Sequence, residues 1–120
     1  MKREYSLFVK DILEAMEKIE EFVGSMDFDE FVGDDKTASA VVRKLEIIGE
    51  ASKNIPKPIQ QKYEKLPWKE MARMRDKISH AYFGVDYEIV WKVIKEKLPE
   101  IKPSIRKILK ETQEKGKRRI

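Results

Sequence analysis

The residues best suited to do chemistry lie in one short stretch, which contains the only histidine of this 120-residue chain. His80 follows Arg75 by five positions and Asp76 by four, and Tyr82 stands two positions after it. Histidine exchanges protons near neutral pH, and arginine binds a phosphate through two parallel hydrogen bonds. The stretch therefore combines a proton carrier with a phosphate-binding group.

A helix over Pro67–Gly84 is predicted to carry these residues, because proline suits the first position of a helix and glycine the position after its end. With about 100° between successive residues, Arg75 and Tyr82 fall on one face and Asp76 and His80 on another. Asp76 would then be a neighbour of His80, able to fix the tautomer of the imidazole and favour its protonated form.

The spacing of Arg75 and His80 raises a geometric difficulty, since five residues of straight helix separate them by about 140°. Either the helix loosens before Gly84, or the site is assembled from two chains. We favour two chains, because cleaving RNA by attack of its own 2′-hydroxyl needs one group to accept a proton and another to donate one. A symmetric dimer brings two histidines to a shared cleft. Arg73 and Lys77 are candidates for further phosphate or RNA contacts.

The composition predicts an all-α protein, with 40% charged residues, 41% hydrophobic residues, five glycines and five prolines. The absence of cysteine excludes disulfides and thiolate zinc sites, and a single histidine argues against a histidine-based metal site within one chain. No run approaches the roughly 18 apolar residues of a membrane span, and the N-terminus shows no signal peptide. We therefore expect a cytoplasmic protein with no membrane partner.

Apolar residues at helical spacing predict most of the remaining chain to be helical. The predicted segments are Tyr5–Val23, Asp27–Val32, a helix capped by Asp34 or Asp35 and running to about Asn54, a brief turn over Ile59–Tyr63, Tyr87–Lys97, and a last stretch through Leu109. Gly49 inside the second long helix costs about 1 kcal/mol against alanine, which suggests close approach of another backbone.

Together these segments predict an antiparallel bundle of four main helices, with a C-terminal helix bent at Pro99 and Pro103. The domain would cover residues 1–113, followed by a basic tail over 114–120. Residues 106–120 carry seven basic and two acidic side chains, so the excess positive charge belongs to this end of the chain.

The motif resembles the R-x-x-x-x-H-x-Y signature of HepT-like toxins in the HEPN superfamily. The resemblance covers nearly the whole chain, and the matching segments are DILEA at 11–15, KLEIIGEA at 44–51, Pro67–Trp68 and YFGVD at 82–86. It implies a helical bundle that forms a homodimer, with the motif of each chain lining a cleft at the interface.

The resemblance also implies metal-independent cleavage of RNA without a cofactor, in which Arg75 binds the phosphate and His80 transfers protons. Asp76 occupies a position where the superfamily favours a polar residue. The family's toxins are paired with a minimal nucleotidyltransferase antitoxin of the MntA type, which transfers AMP to the motif tyrosine, here Tyr82. The added bulk and negative charge would block the phosphate site at Arg75.

The sequence leaves the RNA substrate open between tRNA and messenger RNA. Two other functions remain compatible with the residues. One is a non-catalytic module that binds nucleotide or substrate for a nucleotidyltransferase, and the other is a purely structural dimerisation bundle.

Overall fold

The computed structural model describes residues 4–80 and 84–118, and within them the side chains of residues 4–79 and 84–113. The helices are α1 (Tyr5–Val23), α2 (Phe28–Gly33), α3 (Asp35–Lys53), α4 (Lys57–Lys62), α5 (Trp68–Ala72), α6 (Met74–Ile78), α7 (Tyr87–Lys92) and α8 (Leu98–Arg118), with a π-helical segment over Val93–Lys97. Two short strands, β1 (Ser79–His80) and β2 (Gly84–Val85), form an antiparallel pair. The prediction of an all-α protein is confirmed, and this pair is a local addition to it.

Three long helices form the body of the molecule. Helix α1 packs along α3 and also against α8, while α3 continues the packing onto α5 and α6. The shared core contains fully buried Ile12, Leu45, Ile48 and Ile105. Each of these belongs to an apolar stripe at helical spacing, and burial of such stripes provides most of the stability of helices in proteins.

The sequence located the first two long helices accurately. Helix α1 covers the predicted residues and ends at Gly24, whose positive φ of +51° is readily adopted by glycine. The Asp34 side chain caps α3 by accepting a hydrogen bond from the Thr37 backbone N–H. Local signals were sufficient here because caps and apolar spacing act within a few residues.

Gly49 lies where α3 meets the junction of α5 and α6. A Cβ atom at this position would lie 3.2 Å from the Met71 carbonyl oxygen and 3.4 Å from the Met74 Cβ atom. The predicted close approach of another backbone is therefore confirmed. The absent side chain allows the segment leading to Arg75 to pack directly on α3.

The predicted single helix over Pro67–Gly84 is wrong. The helical run is interrupted at Arg73, resumes as α6 and ends at Ile78, after which Ser79 is extended with φ −123° and ψ 141°. The Ile78 carbonyl accepts a hydrogen bond of 2.7 Å from the Asp86 backbone N–H. This contact occupies an acceptor that a continuing helix would have used, so a non-local bond replaces the next turn.

From Tyr87 onward the chain is a nearly continuous helical run. Its irregular part, the π-helical segment Val93–Lys97, comes before Pro99 and Pro103. In the π-helical segment the Leu98 backbone N–H donates to the Val93 carbonyl, five residues earlier. Pro99 follows at once and has no N–H to donate. Helix α8 includes Pro103 and continues to Arg118, beyond the predicted end at Leu109. Among the described residues, no helix is both long and apolar enough to span a membrane.

Candidate functional site

The motif lies where α6 passes into β1, at the edge of the helical body. Ile78 is fully buried and anchors the end of α6. The strand pair sets Ser79 opposite Val85 and His80 opposite Gly84, whose φ of +71° suits glycine. The side chain of Asp86 then caps α7 by accepting from the Glu88 and Ile89 backbone N–H groups. The backbone of His80 therefore belongs to the β1–β2 strand pair and not to a helix.

Arg75 opens into a cleft of about 400 Å³ between α1, α3 and the α5–α6 junction. This size lies within the range of about 300–1,000 Å³ typical of small-molecule pockets. Its walls include Phe8 and Asp11 from α1, and Ala72 from the end of α5. Of the predicted site residues whose side chains the structure describes, Arg75 is the one that lines this cleft.

One face of α3 forms the longest wall of the cleft. The residues on this face recur every third or fourth position, as expected for one side of a helix, and they are Arg43, Glu46, Ile47, Glu50, Lys53 and Asn54. Sequence reasoning did not assign any of them to the site. The polar stripe beside Gly49 is the signal that would have identified them, because the glycine marks where another segment reaches α3.

The charges of the cleft are mixed. It is lined by three basic side chains, Arg43, Lys53 and Arg75, and by three acidic ones, Asp11, Glu46 and Glu50. Lys53 and Glu50 form an exposed ion pair of 3.8 Å, which contributes little to stability.

Arg43 and Arg75 are both exposed, and among the described residues neither guanidinium has a hydrogen bond or an ion pair. An exposed guanidinium without an internal partner remains available for a phosphate. The two arginines are therefore the groups in this cleft best suited to bind an anion.

The other predicted residues with described side chains do not join Arg75 in the cleft. Lys77 lines a small cavity of about 20 Å³ on the side of α6 that faces the π-helical segment and α8. Asp76 is exposed on α6, and Arg73 is exposed at the interruption between α5 and α6. The structure therefore separates Arg75 from Lys77, which we had grouped as phosphate contacts.

Two of the predicted site groups, the side chain of His80 and the whole of Tyr82, lie outside the described residues. The helical faces proposed for Asp76 with His80 and for Arg75 with Tyr82 assumed a helix that continues through them. Because α6 ends at Ile78, that assumption is wrong. The helix therefore loosens before Gly84, so the 140° separation no longer argues against a site within one chain.

Among the residues with described side chains, no group of three or more acidic or histidine side chains is arranged to hold a metal ion. The same part of the chain has no buried side-chain nitrogen or oxygen without a hydrogen-bond partner.

Comparison with known proteins gives consistent matches over most of the chain. Residues 12–108 match a family described as Ribonuclease HepT-like. A protein of Thermococcus cleftensis named "Probable ribonuclease HepT" is 52% identical over 92% of this chain and 100% of its own length. A protein of Methanocaldococcus jannaschii named "Putative RNase MJ0127" is 47% identical over 93% of both chains.

A further relative comes from Caldanaerobacter subterraneus. It is named "Putative RNase TTE0752" and is 46% identical over 85% of this chain and 91% of its own. No solved structure gave a significant match.

Proposed function

Since this chain belongs to the Ribonuclease HepT-like family, we propose that it is an endoribonuclease that cuts RNA by attack of the RNA's own 2′-hydroxyl. The observation that carries the proposal is Arg75, exposed and without a partner among the described residues, in a cleft of about 400 Å³. The relatives named as ribonucleases support the same activity.

The reaction requires three functions from the protein. The 2′-oxygen forms a bond to phosphorus while the bond from phosphorus to the 5′-oxygen breaks, leaving a cyclic phosphate and a free 5′-hydroxyl. One group accepts the proton of the 2′-hydroxyl, and another donates a proton to the leaving oxygen. Arg75 binds the phosphate and stabilises the negative charge that grows on it. His80 carries out proton transfer.

A single chain supplies only one histidine, so we propose that two protomers form the site as a homodimer. The end of α6 at Ile78 removes the helical geometry that first suggested two chains. The argument for a dimer now depends on the count of imidazoles alone. In this proposal Asp76 orients His80, and Arg73, exposed at the α5–α6 interruption, is a supporting RNA contact. The position of Lys77 on another side of α6 makes it the weakest of the proposed contacts.

Cleavage assays on purified variants test the activity directly. We expect His80→Ala to slow cleavage of RNA by about 10²- to 10⁴-fold, because it removes general acid–base catalysis. Arg75→Ala should lower the rate by about 10²- to 10³-fold through loss of charge stabilisation. A chelator should leave the rate unchanged, and tRNA and messenger RNA should be assayed separately.

Arg106→Ala is the matched control, since Arg106 is an exposed arginine on α8 whose ion pair with Glu17 is 3.9 Å long and lies outside the cleft. Intact RNA with the wild-type protein, or equal cleavage by wild type and His80→Ala, would contradict the proposal. If the wild-type protein left RNA intact but bound nucleotides, and Arg75→Ala weakened that binding, the result would favour a non-catalytic binding partner of a nucleotidyltransferase.

We further propose that the protein is the toxin of a type VII-like pair, neutralised when a MntA-type nucleotidyltransferase transfers AMP to Tyr82. Co-expression with such a partner should increase the intact mass by one or more AMP units and abolish RNA cleavage. Tyr82→Phe should retain cleavage and show no mass increase. Modification that persists in Tyr82→Phe would place the acceptor at another residue.

A further inference from the structure

The cleft contains a second arginine that the motif does not predict. Arg43 lies on the wall formed by α3 and, like Arg75 on the opposite wall, is exposed and without a hydrogen bond or ion pair among the described residues. Glu46 lies one turn away on the same helix face, yet the two side chains form no ion pair. Arg43 therefore remains available to bind something that enters the cleft.

Arg43 is separated along α3 from the place where the segment that carries Arg75 packs on this helix. At Gly49 the segment leading to Arg75 packs directly on α3, since an added Cβ atom would lie 3.2 Å from the Met71 carbonyl oxygen. Arg43 precedes Gly49 by six residues, which corresponds to about 9 Å along the helix axis. Two guanidinium groups on facing walls of the cleft provide donors for two anions.

The acidic residues between and around these positions restrict what can bind. Because three carboxylates balance three cations among the described side chains of the cleft wall, these side chains provide no net positive charge to hold an anion at an arbitrary place. Carboxylates accept hydrogen bonds from ribose hydroxyls and base amino groups. A ligand with separated phosphates and hydrogen-bond donors between them matches this arrangement, and a strand of RNA has that character.

We propose that Arg43 binds a second backbone phosphate of a single RNA strand whose scissile phosphate lies at Arg75. The inference rests on the proposed function for the identity of the strand. It adds a substrate-positioning residue on α3, a helix that carries none of the motif. Arg43 fixes the direction and register of the strand in the cleft, and Arg75 holds the phosphate that reacts.

The test measures binding of RNA in a background that cannot cleave it. All proteins carry His80→Ala, and the probe is a short single-stranded RNA with unmodified 2′-hydroxyl groups, titrated at several salt concentrations and checked for intactness afterwards. Arg43→Gln should weaken binding by roughly tenfold and reduce the slope of log K against log salt by about 0.7, the value for one phosphate contact on a single strand. Arg43→Lys should recover the salt slope and part of the affinity, because the charge remains and the bidentate geometry is lost.

A nucleoside monophosphate distinguishes the two positions. It offers one phosphate, so its binding should fall in Arg75→Gln and stay unchanged in Arg43→Gln. Arg106→Gln, outside the cleft, is the control of equal charge change. Equal RNA affinity and salt slope in Arg43→Gln and Arg106→Gln would overturn the proposal, and so would the absence of RNA binding by the parent protein at low salt.

Failure of this inference and failure of the ribonuclease activity give different results. RNA binding that depends on Arg43, in a protein whose wild-type form cleaves no RNA, supports the phosphate position and rejects the nuclease. If the wild type cleaves RNA and Arg43→Gln leaves RNA binding unchanged, the second phosphate position is rejected and the proposed ribonuclease activity stands.

Discussion

At the scale of the residue, availability distinguishes Arg75 and Arg43 from several other charged side chains. Lys102 holds Glu20 at 2.9 Å, and Lys18 holds Glu21 at 3.3 Å. An arginine already engaged in such a pair would have to break it before binding a phosphate, whereas these two retain their full set of donors. Arg43 and Arg75 are therefore suited to bind phosphate for two reasons. They line the cleft, and no other described side chain pairs with their guanidinium groups.

Tyr63 is a residue whose ionisation the fold alters strongly. Its hydroxyl donates a hydrogen bond to the Glu111 carboxylate, which joins the segment after α4 to α8. Burial, with a further contribution from the hydrogen bond and charge of Glu111, raises the pKa of Tyr63 to about 12. The folded protein thus favours the neutral phenol more than the unfolded chain does.

This shift predicts a specific alkaline loss of stability. The unfolded chain releases the Tyr63 proton near pH 10, so the contribution is complete below that pH and falls as the pH rises toward about 12. Tyr63→Phe should lower the free energy of unfolding by about 1 kcal/mol at pH 8. The difference between wild type and variant should shrink by pH 11.

Urea denaturation at pH 8 and pH 11 measures both differences, with Tyr87→Phe as the control because the Tyr87 ring packs edge-on against Phe31. A wild-type to variant difference that stays constant across this range would contradict the assigned role of Tyr63.

At the scale of the element, α3 shapes the site as much as the motif does. Its glycine admits the α5–α6 junction, and its polar stripe forms the facing wall of the cleft. A side chain at Gly49 would have to displace the Met71 carbonyl, a backbone group that cannot swing aside as a flexible side chain can. The packing of the segment that leads to Arg75 therefore depends on a residue of another helix.

The end of α6 shows how a tertiary bond overrides helical periodicity. The residues after Ile78 fitted a continuing helix by spacing, but the Asp86 backbone N–H binds the Ile78 carbonyl. The capping of α7 by the Asp86 side chain then fixes where the next helix begins. The motif consequently spans a helix, a strand pair and the residues between the two strands.

At the scale of the whole molecule, the chain has a single histidine. The decisive question is therefore whether one chain or two chains form the active site. If each cleavage event uses the imidazoles of two protomers, a dimer with one wild-type and one His80→Ala chain lacks either the acid or the base. We expect such a mixed dimer, isolated with two different affinity tags, to cleave RNA at least tenfold more slowly than the doubly tagged wild type.

Sedimentation of the same preparation establishes whether a dimer is present. Independent sites in each chain would instead give a mixed dimer with about half the wild-type rate, and that result, or a monomeric active protein, would contradict the shared site.

The sequence by itself determined the all-α class, the extent of α1, the cap of α3 and the close approach at Gly49. Apolar spacing, capping side chains and an interior glycine are local signals, and the structure uses each of them locally. Only the tertiary structure decided that the motif helix ends at Ile78, that Lys77 faces away from Arg75, and that Arg43 faces the same cleft. These outcomes depend on a hydrogen bond between residues eight positions apart and on which helices pack together, and neither is encoded in the spacing of residues along one helix.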